Sequence, residues 1–146
     1  CHDMLAHRHC VLGLGDGGAH VSIISDGSFP TYLLTHWGRD RPSGRFDIGW
    51  LVRRQTRDTA RTVGLLDRGR LQPGYKADLN VIDWQRLALQ RPVMADDLPA
   101  GGRRLLQRAQ GYEATIVSGA VVSREGQATG ALPGRLVRGP QGVAVT

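Results

Sequence analysis

The chain has 146 residues, with nineteen Lys and Arg against thirteen Asp and Glu, for a net charge of +6. That length buries one ordinary core, roughly 70% of the unfolded surface, but it falls short of the roughly 250 residues of a complete (β/α)8 barrel. Lys76 is the only lysine, and the arginines are scattered, with pairs at Arg53-Arg54 and Arg103-Arg104 and acids such as Asp40, Asp58 and Asp67 between them. A nucleic-acid surface calls for a clustered basic face with interleaved aromatics, so the charge reads as a solvated, arginine-biased surface with no nucleic-acid partner. No apolar run approaches the ~20 residues that cross a membrane, so no membrane partner is expected. No basic region followed by an apolar core opens the chain, which makes a cytoplasmic location the default expectation. Oligomeric state is left open.

Cys1, His2, His7, His9 and Cys10 crowd the first ten residues. They show neither CxxC nor HExxH spacing, and two thiols are too few for a disulfide framework. Residues of a helix end are the better reading, with Met4 and Leu5 turned inward. Val11, Leu12 and Leu14 then supply the continuous apolar run of a buried parallel strand over residues 11–15. The strand runs into Gly15-Asp16-Gly17-Gly18, where the glycine pair lets a backbone or a ligand come close.

Phe29-Pro30-Thr31 starts a helix, since proline is tolerated in the first turn, and Tyr32, Leu33, Leu34 and Trp37 follow at helical spacing. Gly38 to Gly44, with Pro42, end it. A second helix is expected from Asp47, as N-terminal cap or first-turn acid, to about Thr56, and a third from Asp58 to Val63, stopped by Gly64. From Leu65 the apolar period becomes strand-like. Leu79 to Asp83 reads as a strand entered through Pro73-Gly74. Residues 114–117 and 120–123 form a hairpin across Ser118-Gly119. Gln85–Gln90 and Arg103–Gln110 read as short helical turns, 136–138 as a last strand, and 139–146 as a frayed tail.

Asp16 stands at the C-terminal end of the first strand, where α/β barrels keep catalytic groups. From spacing alone it serves equally as a catalytic carboxylate or as a turn aspartate bonding its own loop amides. His20, four residues on, lines a pocket mouth or packs structurally, the two readings carrying equal weight. Asp26 reads as a loop-bonding or capping residue.

The segment GLGDGGAHV (residues 13–21), followed by SDGSFPT (25–31), resembles the last barrel strand of the D-aminoacylase group, zinc-dependent members of the amidohydrolase superfamily. The resemblance continues through TRDTA (56–60), GLLDRG (64–69), PGYKADL (73–79), DLPAG (97–101), TIVSG (115–119) and TGALPG (129–134). It implies an α/β chain: residues 1–66 as the C-terminal end of a metal-dependent-hydrolase (β/α)8 TIM barrel, and 67–146 as the C-terminal part of a small β-sandwich domain. It also implies hydrolysis of a non-peptide amide C–N bond, with an N-acyl-D-amino acid or a related N-acyl compound as the small-molecule substrate. Asp16 matches the aspartate that takes a proton from zinc-bound water and returns it to the leaving amine, which places it beside the metal. His20 becomes a candidate substrate-binding residue.

Zinc is the implied cofactor, with its other ligands on strands that have no counterpart in this chain. Relatives hold the substrate carboxylate with a basic residue shortly after the last-strand aspartate, whereas Val21 to Thr35 contains neither Arg nor Lys. Arg39, Arg41 and Arg45 are the nearest substitutes, set against the reading of a solvated loop. Two alternatives stand beside this one: a cyclic-amide hydrolase or deaminase of the dihydroorotase or hydantoinase kind, and a non-catalytic binding module.

Overall fold

The computed structural model describes residues 1–143 except Leu14, Ala19, Val21, Ile24 and Ser25 and the side chain of Asp26. The first half is helical. Helix α1 (His2–Ala6) comes first, and a 3₁₀ turn (Asp26–Ser28) stands just before the next helix. Helix α2 (Phe29–Thr35) follows with Pro30 in its first turn and continues through a π-helical turn (His36–Asp40). Helix α3 (Ile48–Arg53) runs through a second π-helical turn (Arg54–Asp58) into α4 (Thr59–Thr62). Asp47 caps α3, its Oδ1 accepting from Trp50 N at 2.9 Å, a bond worth about 1 kcal/mol.

The second half is antiparallel. Strands β1 (Leu79–Ile82), β6 (Tyr112–Val117), β7 (Ala120–Arg124) and β8 (Gln127–Ala128) form one sheet in that order. Two ribbons stand beside it, β2 (Ala88–Leu89) with β5 (Ala109–Gln110) and β3 (Val93–Leu98) with β4 (Gly102–Leu106). The expected hairpin pairs Val117 with Ala120. Its turn residues Ser118 (φ 51°) and Gly119 (φ 82°) both take the left-handed backbone of a two-residue hairpin turn.

Several expectations are corrected, beginning with Met4, which is 68% exposed rather than turned inward. Among the described residues of 11–15 no strand forms, and Val11 is 43% exposed. A parallel strand needs hydrogen-bonding neighbours, and the strands in the described residues pair with one another elsewhere. The helix begun at Phe29 passes through Gly38 to Asp40. There the absent side chain admits Leu51, whose Cδ1 would lie 3.0 Å from a Cβ on Gly38. Arg103–Leu106 is strand rather than helix, its backbone pairing with β3, while Arg104 meets Asp97 (2.7 Å) and Arg103 meets Asp96 (2.6 Å) across the ribbon, and Ala109–Gln110 form β5. Gln85 and Arg86 form a turn whose amides donate to Asp83 Oδ1, after which Ala88-Leu89 enter β2.

The tail also departs from the reading. Residues 136–138 form no strand. Gln141, expected in a frayed end, pairs with Leu65 through Gln141 N to Gly64 O (2.8 Å) and Leu66 N to Gln141 O (3.1 Å).

The core draws on both halves. Leu33, Leu34, Leu51 and Leu87 are buried together, the last two completely, with Leu5, Leu12, Trp37, Phe46, Ile82, Trp84 and Tyr112 packed around them. Polar contacts tie the same seam. Thr31 Oγ1 and Tyr112 OH are 2.7 Å apart, and Arg39 donates to Trp84 O (2.7 Å) and Leu87 O (2.8 Å). Gly111 closes it: a Cβ there would lie 2.7 Å from Leu87 Cα and N. No helix among the described residues is long and apolar enough to cross a membrane.

Candidate functional site

Asp16 is exposed and lies, in chain order, between α1 and the 3₁₀ turn. The described residues on either side of it make contacts with the fold. Upstream, Leu12 packs against the buried leucine cluster, and Arg54 reaches from the helix to donate to the Cys10 carbonyl. Downstream, the glycine turn folds back, so that a Cβ on Gly27 would lie 4.0 Å from Gly17 Cα. Ser28 Oγ, one residue further on, donates to Gln107 Oε1. Asp16 thus lies between Leu12, which packs on the core, and Gly17, which lies close to Gly27 just before α2.

Arg54 is the residue that sequence reading missed, taking it as part of a scattered surface pair. It is buried, stacks over Trp50 at 5.3 Å and pairs with Asp58 at 3.6 Å. Four-residue spacing from Arg54 to Asp58 on a helix was the available signal. The Trp50 ring stacks on Phe46 (4.6 Å), which stacks on His2 (4.6 Å), so the arginine ends an aromatic column leading back to α1.

His20 is exposed and four residues beyond Asp16, with φ 52°, a backbone region that histidine enters more readily than most residues. Its carbonyl accepts from Ser22 N. Asp26 lies in the 3₁₀ turn, and its side chain is outside the described residues. The three arginines weighed for substrate binding are engaged in the fold. Arg39 bonds Asp40 (2.6 Å) as well as two backbone carbonyls, Arg41 lies 4.0 Å over the Trp37 ring, and Arg45 donates to Arg39 O at 3.2 Å. The guanidinium of Arg39 holds the Asp40 carboxyl below the usual aspartate range.

The N-terminal histidines are also occupied. His2 stacks on Phe46, and Arg8 Nε donates to His9 Nε2 at 2.8 Å. Among the described residues no group of three or more His, Cys, Asp or Glu is placed to hold a metal ion. A catalytic zinc takes three protein ligands and a water, so the donor set present does not fit a complete zinc centre. What the described residues contribute at this loop is one exposed carboxylate, Asp16.

The model of the amidohydrolase family matches residues 1–123, a span that includes Asp16, His20 and the sheet through β7. A D-aminoacylase from Alcaligenes xylosoxydans xylosoxydans is 37% identical over 111 residues, which is 76% of this chain and 20% of that enzyme. The aligned part therefore spans about a fifth of that relative's length. No solved structure matches the chain. With a family match over most of its length and the D-aminoacylase likeness beside it, the chain belongs to the amidohydrolase family.

Proposed function

We propose that the chain is the C-terminal part of a zinc-dependent amidohydrolase that deacylates N-acyl-D-amino acids or related N-acyl compounds. The observation that carries this reading is Asp16, exposed among Gly15, Gly17 and Gly18 within the family match. Residues 1–66 then complete a barrel and 67–146 belong to its small β-sandwich domain. The change from helices to antiparallel strands supports that division. Zinc, when bound, polarises the scissile carbonyl and lowers the pKa of water. Its ligands would come from the rest of the enzyme, since the donor set here does not complete a site.

The role assigned to this chain's own residues is proton transfer. An Asp16 carboxylate oxygen takes the proton of the attacking water and returns it to the leaving nitrogen, which needs one group to act as base and then as acid. His20 lines the substrate side of the same loop in this reading.

A second reading, a cyclic-amide hydrolase of the same superfamily, is favoured by one observation. Val21 to Thr35 lacks a basic residue, and Arg39, Arg41 and Arg45 are used by the fold. The experiment assays the complete enzyme on N-acyl-D-amino acids, N-acyl-L-amino acids and cyclic amides, with Asp16→Asn beside wild type. Turnover of N-acyl-D-amino acids that the substitution abolishes supports the first reading. Turnover of cyclic amides alone supports the second.

A further inference from the structure

Where the helix meets the loop that leaves it, four arginines converge. Arg57 and Arg61 are four residues apart on the helix continuing from α3, a spacing that places two side chains on one face. The loop 65–71 brings Arg68 and Arg70 against them. Gly69 makes that approach possible, because a Cβ there would sit 2.8 Å from Arg57 Cα and N. Only glycine lets the two backbones pass so closely, and its φ of +81° suits it as well. The result is a cavity of about 250 Å³ lined by Arg57, Arg61, Arg68, Arg70, Tyr75 and Leu66, with Val143 at its edge.

The charges in this cavity are not balanced. Arg68 pairs with Asp67 at 2.8 Å, with Asp78 3.9 Å away. Among the described residues Arg57, Arg61 and Arg70 make no ion pair. Arg70 lies 6.0 Å over the Tyr75 ring. Arg57 Nε is buried and makes no hydrogen bond. A buried donor on a charged group that finds no acceptor is costly, and like charges four apart on a helix repel. Guanidinium stays charged at any working pH, so deprotonation does not relieve either term. A ligand rich in oxygen acceptors does.

We propose that this cavity binds a small phosphate-bearing ligand, with Arg57, Arg61 and Arg70 as the ligating residues and Arg68 held in place by Asp67. The guanidinium fork matches phosphate oxygens in bidentate geometry. Three uncompensated cations call for an anion with several charges and more than two oxygens, which a single carboxylate does not supply. The cavity exceeds one water-sized volume severalfold, so it admits a pyrophosphate or a phosphate with a small organic group. The site uses neither Asp16 nor His20, and its test stands apart from that of the reaction.

The experiment measures binding of inorganic phosphate and of pyrophosphate by calorimetry and thermal shift, using chloride and acetate at matched ionic strength as references. Wild type, Arg61→Gln, Arg57→Gln and Arg135→Gln, an exposed arginine outside the cavity lining, are compared, with far-UV circular dichroism to check the fold. Pyrophosphate should raise the melting temperature of wild type and of Arg135→Gln. Its affinity should fall about tenfold or more in Arg61→Gln and Arg57→Gln, the usual weight of a lost charge-assisted contact. Arg61 is exposed, so its substitution leaves the fold intact. It should also raise the melting temperature in the absence of phosphate, by removing one repelling charge. The proposal is overturned by equal effects of acetate and pyrophosphate, by equal losses in Arg135→Gln and Arg61→Gln, or by no phosphate-dependent shift in wild type.

Discussion

Truncating Leu87 to alanine removes the side chain through which the strand-rich half enters the leucine cluster of the helices. Leu87 is 0% exposed and clusters with Leu33, Leu34 and Leu51. Leu→Ala substitutions at buried sites cost about 2–5 kcal/mol, depending on how far the surroundings collapse into the cavity. Here collapse is restricted. The Leu87 backbone is braced by Gly111, where a Cβ would lie 2.7 Å away, and by the Arg39 guanidinium on its carbonyl at 2.8 Å. The expected loss therefore lies in the upper part of the range, about 3–5 kcal/mol, against a total stability of about 5–15 kcal/mol. At roughly 3 °C per kcal/mol for a chain of this size, the melting temperature should fall by about 10–15 °C.

The assay is urea unfolding followed by tryptophan fluorescence, which Trp37, Trp50 and Trp84 around the core report, with circular dichroism as a second probe. Leu87→Val, which keeps most of the volume, should cost about 1 kcal/mol. A loss below about 1 kcal/mol for Leu87→Ala, at an unchanged denaturant slope, refutes the view that both halves share one core.

In the complete enzyme, Asp16→Asn should lower kcat by ~10² to 10⁴ with little change in KM, metal content or melting temperature; retained activity removes Asp16 from the chemistry. Tyr112→Phe leaves the Thr31 hydroxyl, buried at 6% exposure, without its tyrosine partner and should cost about 1–3 kcal/mol, measured by the same urea titration; no loss would mean that the pair is not formed in solution. The Arg68 guanidinium, by hydrogen bonding, holds the Asp67 carboxyl below its ordinary range. That depressed group contributes stability above the unfolded aspartate pKa of about 3.9, lost as pH falls through the folded value. Asp67→Asn should therefore be the less stable protein near neutrality, and the difference should shrink below pH ~4. A constant difference across that range argues against the pair. Finally, the 146-residue chain dialysed against a mild chelator should retain no stoichiometric zinc; retention would reopen Cys1 to Cys10 as a metal site.

Local chemistry alone determined a good part of this protein. Proline in the first turn of α2, the Asp47 cap, and the Ser118-Gly119 hairpin depend on residues within four or five positions of one another, and each formed where the sequence placed it. The glycine loop around Asp16 was legible for the same reason, and so was the family. Other features depended on partners distant in the chain. The apolar run at 11–15 reads as a strand, yet a strand exists only when another backbone lies beside it to pair, and the described residues show none there. Arg103-Arg104-Leu105-Leu106 carries no local bias against a helix, so the backbone of β3 lying beside it to pair decided for strand. Arg39, Arg54 and Arg57 look alike in sequence. One stitches two backbone carbonyls, one braces the Cys10 carbonyl, and one enters an arginine-lined cavity. Arginine's long side chain and five donors let it serve any of these roles, and which one it takes is set by the acceptors that folding brings within reach.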